Sequence, residues 1–265
     1  MKYACNVSYE LMNILENDST FCDYIKIGAF GRTEALLEVA FSLKPLLIHG
    51  FGWFERGGMS STKDIDYDKM NRYIQKYQSP FIGIHSLCFE EDARQIQNTS
   101  ILDFMIQRFN DFSKHIHTDI LIENMDYSSY YPYPTTLMET VKPEFICRLI
   151  DKTDLGLLLD TSHAKVSAYQ LNMDIYKYLD ALPLEAIREI HFSGTGFEKD
   201  AGYKDIHGIM DKEDYRIAQY LQERLQKFSS QKLEMITLEY GTVAAQTTSR
   251  EAIIEQMNQL KTIFK

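Results

Sequence analysis

A chain of 265 residues, 45% hydrophobic and 25% charged, has the size and composition of a single (β/α)8 barrel with a full core. The formal net charge of −10, with no basic block, argues against a protein that works by neutralising nucleic-acid phosphates. No apolar run approaches the ~20 residues of a membrane span. Met1–Asn6 holds no secretory apolar core. The four scattered cysteines, Cys5, Cys22, Cys88 and Cys147, form no CxxC pair, so a reduced cytoplasm is the expected compartment.

Short apolar segments recur along the chain with amphipathic stretches between them. Strands are predicted at Tyr3–Ser8, Asp23–Ala29, Pro45–Gly50, Phe81–Ser86, Asp119–Asn124, Leu155–Thr161, Ile187–Ser193 and Met235–Tyr240. Runs such as Leu155-Gly156-Leu157-Leu158-Leu159 suit strands buried on both faces of a parallel sheet. Helices are predicted at Thr33–Leu43, Tyr67–Gln78, Ile101–His115, Glu144–Lys152, Lys212–Phe228 and Arg250–Phe264, from apolar residues at three-to-four spacing. Pro143 suits a first helical turn, and Thr248 with Glu251 reads as a capping box for the last helix. Strand–helix alternation repeated eight times predicts closure into one barrel over residues 1–265. An open doubly wound sheet is disfavoured because no Gly-rich phosphate fingerprint follows the first strand.

Barrel chemistry sits where strands end and run into the following loops. His49 ends the third predicted strand, His85 the fourth and Glu123 the fifth. Asp160 ends the sixth, with His163 three residues on; His191 lies in the seventh, and Glu239 ends the eighth. Asp205 and His207 are placed in the loop after the seventh strand. Five of the seven histidines fall in this set, whereas His115 and His117 precede the fifth strand and belong to the opposite face. Any one such residue is more often a satisfied core or loop side chain. Acids and imidazoles converging on one mouth without a cation need another explanation, because buried carboxylates are costly unless paired. A metal site explains them. Imidazole and carboxylate donors suit zinc, iron or manganese, and the lack of thiolates disfavours a structural zinc finger.

The order His49, His85, Glu123, Asp160-x-x-His163, His191, Asp205-x-His207, Glu239 resembles the nine-ligand, three-metal pattern of endonuclease IV-type enzymes, in the xylose-isomerase-like barrel superfamily. The chain is more similar still to the multinuclear non-haem iron-dependent oxidative enzymes that include the catalytic subunit of methanobactin biosynthesis. The stretches that carry this are Leu47-Ile48-His49-Gly50-Phe51-Gly52, Gly156–Asp160 with Val166-Ser167-Ala168, Tyr178–Pro183, Glu189-Ile190-His191, Asp205-Ile206-His207-Gly208 and Leu238-Glu239. Many members of that family carry Asn where His163 stands, so the chain departs there towards the endonuclease pattern.

The resemblance implies that His49, His85 and Glu123 bind one metal, with Glu123 bridging to a second that Asp160, His191 and Glu239 complete. His163, Asp205 and His207 would form a third. Glu123, Asp160 and Glu239 would then be the catalytic carboxylates. It also implies two or three iron ions, dioxygen, a ribosomal precursor peptide modified at cysteine, and a second protein that delivers the peptide; zinc or manganese also fits the donors. Metal-dependent phosphoester hydrolysis and sugar isomerisation or epimerisation on a small molecule are the alternatives, the last needing a lysine or second acid as base. A metal-storing barrel is the non-enzymatic alternative. Two aromatic loops, Phe51–Phe54 with Gly57-Gly58 and Tyr127–Tyr133, are candidates to select substrate or to pack on the rim. Cys88 is expected to be a small core residue.

Overall fold

The computed structural model describes residues 1–28, 33–50, 65–94, 96–127, 135–229, 232–241 and 248–265. Eight parallel strands surround one axis. They are β1 (Lys2–Asn6), β2 (Tyr24–Ile27), β3 (Leu46–Ile48), β4 (Phe81–His85), β5 (Asp119–Glu123), β6 (Gly156–Asp160), β7 (Ile187–Phe192) and β10 (Met235–Leu238), hydrogen-bonded in the order β3-β2-β1-β10-β7-β6-β5-β4. The ends of that order meet at a parallel bridge between His49 and Gly83, where Gly50 N donates to Gly83 O at 2.8 Å. The expected (β/α)8 barrel is therefore the observed one.

Strand side chains alternate in direction, and here each parity has its own partner. Ile25, Ile27, Leu46, Ile48, Ile82, Ile84, Ile120, Ile122, Leu157 and Leu159 face outward into a core shared with the helices. Ala4, Leu47, Phe81, Leu121, Leu158 and Met235 fill the barrel interior as a separate apolar cluster, against which Tyr24 packs. Two residues further along each strand, the same face carries Asn6, Lys26, His49, Gly83, Glu123, Asp160 and Thr237. The interior is thus a mainly apolar plug below, with Glu189 of β7 buried at the level of Leu158 and Met235, and a polar layer above.

The helices α2 (Glu34–Leu43), α3 (Tyr67–Tyr77), α5 (Ile101–His115), α6 (Pro143–Thr153), α9 (Lys212–Leu225) and α10 (Arg250–Ile263) match the predicted stretches; α4 (Glu90–Ala93) is one short turn. Besides the short α4, three further helices lie where none is predicted from the sequence. Helix α1 (Tyr9–Asn17) starts at Ser8, whose hydroxyl accepts from Leu11 N. Helix α7 (Thr161–Gln170) buries residues 161–168 on all sides, so it shows no amphipathic period. It leads on to the short α8 (Ile175–Asp180).

The cap of α10 is Ser249 and not Thr248: Ser249 Oγ accepts from Ala252 N and binds Glu251, which places the capping hydroxyl one residue later. After β7 the chain forms an antiparallel hairpin, β8 (Gly194–Glu198) and β9 (Gly202–Gly208), which packs on α7. No helix among the described residues is long and apolar enough to cross a membrane. The aromatic segment 51–54, Gly57-Gly58 and residues 128–133 of the second aromatic loop lie outside the described residues.

Candidate metal centre

The register of the barrel levels the polar side chains. His85 pairs with Glu123 across β4 and β5, and His191 pairs with Asp160 on one side and Thr237 on the other. His49 reaches the same level through the bridge to Gly83. A Cβ on Gly83 would stand 2.5 Å from Leu158 Cδ1 and 3.2 Å from the His49 ring, so glycine there lets the imidazole lie against β4.

Glu123 is the hinge of the arrangement. Its Oε2 is 2.6 Å from His49 Nε2 and 3.1 Å from His85 Nε2. Its Oε1 faces the other way, 3.5 Å from His191 Nδ1. His191 Nδ1 lies 2.8 Å from Glu239 Oε2 and 3.8 Å from Asp160 Oδ2. Two groups of donor atoms result, His49–His85–Glu123 and Glu123–Asp160–His191–Glu239, each with its atoms within 4.8 Å of one another. One carboxylate thus belongs to both groups.

The remaining three predicted residues gather beside them. Asp205 Oδ2 is 3.0 Å from His207 Nε2 and 3.5 Å from His163 Nε2. His163 is in the first turn of α7, while Asp205 and His207 are on β9 and not in an irregular loop as predicted; a gly-rich ribbon reads as loop in sequence. The ribbon is bulged at Ile206 and His207, with His207 in the left-handed region at φ 49°, and this brings the imidazole back beside Asp205. All nine candidate residues therefore meet at one mouth. His115 ends α5 and His117 follows it, both far down the barrel from this mouth, beside the start of β5.

Neighbours fix how these side chains point. Asp160 accepts from His163 N with Oδ1 and so caps α7, leaving Oδ2 buried without a hydrogen-bond partner. His163 Nδ1 must donate to Asn124 O at 2.8 Å, since a carbonyl only accepts, which leaves Nε2 bare towards Asp205. Glu189 does the same for His191. Its Oε1 takes the Nε2 proton at 2.9 Å and the Thr237 hydroxyl at 2.5 Å. His191 Nδ1 is left buried and without a well-aligned partner. Carboxylate–histidine and carbonyl–histidine contacts of this kind orient metal ligands.

Charge in the mouth is lopsided. Burial raises the Glu123 carboxyl, but His85, His49 and His191 outweigh it and hold it well below the usual range. Burial, with Glu239, Asp205 and Glu123 nearby, pushes Asp160 up to about 7. Burial drives His85 down to about 3 and His49 below its ordinary value. His207 goes up to about 9, against its burial, because Glu239 and Asp205 face it. Asp126, buried behind the fifth strand near His163 and Asp205, is raised chiefly by desolvation. Without a bound cation, protons do the work of offsetting these carboxylates.

Three of the residues here escape sequence reasoning: Lys26, Glu189 and Asp126. Lys26 is 4% exposed and forms an ion pair with Glu239 Oε1. Among the described residues it is the only Lys or Arg paired with a carboxylate of the two donor groups. Two orphaned buried atoms, Asp160 Oδ2 and His191 Nδ1, within a set of imidazole and carboxylate donors fit a pair of metal ions of the zinc, iron or manganese type.

A family model described as "RiPP precursor modification enzyme MbnB/TglH/ChrH" matches residues 17–239. Relatives include UPF0276 proteins of Acinetobacter baylyi, 24% identical over 80% of this chain and 76% of that one, and of Psychromonas ingrahamii, 31% identical over 57% and 54%. A UPF0276 protein of Bordetella pertussis is 34% identical over 54% of this chain and 50% of its own length. The matched stretch therefore spans about half of two of these relatives and three quarters of the third. Among solved structures, a xylose isomerase domain containing protein of Salmonella typhimurium superposes with a TM-score of 0.63 at 12% identity, covering 99% and 97% of the two chains. The IOLI protein with a binding zinc atom gives 0.59 at 14% identity over 100% and 98%. These likenesses show a xylose-isomerase-like barrel.

Proposed function

We propose, since the chain belongs to the MbnB/TglH/ChrH family of RiPP precursor modification enzymes, that it oxidises cysteine residues of a ribosomally made precursor peptide with iron and dioxygen. The observation that carries the reading is the two-sided Glu123, which joins a His49–His85 group to an Asp160–His191–Glu239 group. His49, His85 and Glu123 would hold one ion, and Glu123, Asp160, His191 and Glu239 a second; His163, Asp205 and His207 would hold a third. When bound, the ions supply one-electron chemistry and activation of dioxygen.

The chain's own contribution is positional. Glu189 and Asn124 O set the imidazole tautomers, Asp160 is fixed by its cap on α7, and the apolar plug of Leu47, Phe81, Leu121, Leu158 and Met235 excludes water from below. A substrate thiol reaches this layer only from the mouth. A second protein that delivers the peptide belongs to the same reading.

Lys26 bears on the isomerase alternative. That chemistry asks for a base, and burial would favour a neutral lysine. Glu239, Glu123 and Glu189 outweigh burial and raise the Lys26 pKa, so it stands there as a cation. A second reading, metal-dependent phosphoester hydrolysis, is favoured by one observation: the His163–Asp205–His207 group completes a three-metal layout.

One experiment separates them. Protein reloaded with iron or with zinc is incubated with a cysteine-containing precursor peptide and with a phosphodiester, with and without oxygen. The oxidase reading expects a peptide mass change and oxygen consumption with iron only. Oxygen-independent phosphodiester cleavage by the zinc form, with no change to the peptide, would replace it.

A further inference from the structure

We propose that Lys26 is a positioning residue of the metal centre: it holds one oxygen of Glu239 and thereby presents the other to the Asp160–His191 group. This rests on reading the mouth as a metal site, but not on which metal or substrate it takes.

Strand β2 reads Tyr24-Ile25-Lys26-Ile27. Ile25 and Ile27 are fully buried and belong to the outer core, so Lys26 takes the inward direction, above Tyr24. An ammonium buried there without a partner would carry a desolvation penalty that nothing offsets. Its partner must therefore be close and fixed. The side chain crosses β1, which lies between β2 and β10, and ends on Glu239 Oε1.

Glu239 needs such a hold more than the other carboxylates do. Asp160 is tied by its helix cap, and Glu123 is clasped between His49 and His85. Glu239 stands one residue beyond the end of β10, and among the described residues its backbone is tied through its N–H to Phe192 O at 2.8 Å. Its side chain has three rotatable bonds and two acceptors to offer. With Oε1 on Lys26, and His207 Nε2 3.6 Å from that same oxygen, Oε2 is left towards His191 Nδ1 at 2.8 Å. Removing the ammonium releases the carboxylate to turn both oxygens to the donor group. The group would then gain a donor and lose a fixed direction.

Cobalt(II) is a suitable probe, because the intensity of its d–d absorption falls as donors are added. Metal-stripped wild type, Lys26→Met, Lys26→Gln and Lys26→Arg are reloaded with cobalt(II), and their visible spectra are compared per bound ion. Methionine carries no donor for Glu239, and the glutamine amide is shorter and uncharged, so both variants should lose d–d intensity. Arginine should restore the wild-type spectrum. If Lys26→Met does not fold, as judged by circular dichroism, Lys26→Gln carries the comparison. Identical spectra for wild type and the folded Met or Gln variant would overturn the proposal and leave the metal reading standing. A wild type that takes up no cobalt would overturn both.

Discussion

The two ends of the barrel handle charge in opposite ways. At the N-terminal end Arg188 meets Asp119 at 2.7 Å and Glu234 at 2.6 Å, and Lys2 meets Asp23 at 2.9 Å. These pairs reach into solvent, and each acid has a cation beside it. Towards the C-terminal end Glu123, Asp160, Glu189 and Glu239 are all buried, with Lys26 as the one lysine among the described residues set beside them. Water screens the first arrangement, so its pairs contribute little; burial removes that screening from the second, whose carboxylates must be offset by protons or cations. One end is built for tolerance and the other for a ligand.

The largest effect is expected from Glu123→Gln, which removes the charge shared by both donor groups. Bound metal should fall at both, by at least ~100-fold in affinity, since even the supporting contacts of ligands typically cost 10- to 100-fold. Circular dichroism should still report a folded barrel. A full metal complement by elemental analysis would refute the shared role.

Glu189→Gln tests the contact behind His191. It keeps the shape and weakens the hydrogen bond that leaves Nδ1 bare. Affinity at the Asp160–His191–Glu239 group should drop by about 10-fold or more, with the His49–His85 group unaffected. Competition against a coloured chelator reads the two steps separately.

A gentler test is pH. His207 has its pKa raised from 6.5 to about 9 in the fold, so the stability it contributes is fully present below about 6.5 and is lost as pH rises through 9. His85 is lowered to about 3, so it charges in the unfolded chain first, and stability is lost as pH falls from 6.5 towards 3. The metal-free protein should lose thermal stability on both sides of near-neutral pH. His163 and His191 are also held above their ordinary value, against their burial, by the carboxylates around them, so His207→Gln should make the alkaline limb shallower without abolishing it; an unaltered limb would remove His207 from the account.

The smallest effect belongs to the other end. Arg188→Met removes two ion pairs whose acidic partners are 64% and 48% exposed. Denaturant unfolding should register about 1 kcal/mol or less, with metal content unchanged. A loss of metal from this variant would mean that the two ends are coupled.

Much of this was legible in the sequence because strand parity writes the same rule many times. Leu47 and His49, Leu121 and Glu123, Leu158 and Asp160 each put an apolar residue below and a donor above, on the same face. Lys26 obeys that rule with Tyr24 yet reads as an ordinary charged residue between two isoleucines, since one lysine carries no pattern. Glu189 hides in the same way, one turn of parity below His191. Helix α7 was illegible because burial on every side erases the three-to-four spacing that marks amphipathic helices. The hairpin escapes sequence reading because Gly194, Gly196, Gly202 and Gly208 punctuate it like a loop; a Cβ on Gly194 would stand 2.0 Å from Ile209 O, so the close approach of the two strands at their open end demands glycine.

That hairpin makes the third donor group depend on an irregularity. Between Asp205, opposite Thr195, and Gly208, opposite Gly194, strand β9 carries two extra residues, Ile206 and His207, and His207 takes the left-handed conformation at φ 49°. Ile206, 59% exposed, is left outside, while the imidazole returns to Asp205 at 3.0 Å. A bulge re-aims a side chain in this way beside a site. Straightening the ribbon there would leave every barrel strand as it is and carry the imidazole away from the carboxylate, so one kink separates a chain with three donor groups from a chain with two.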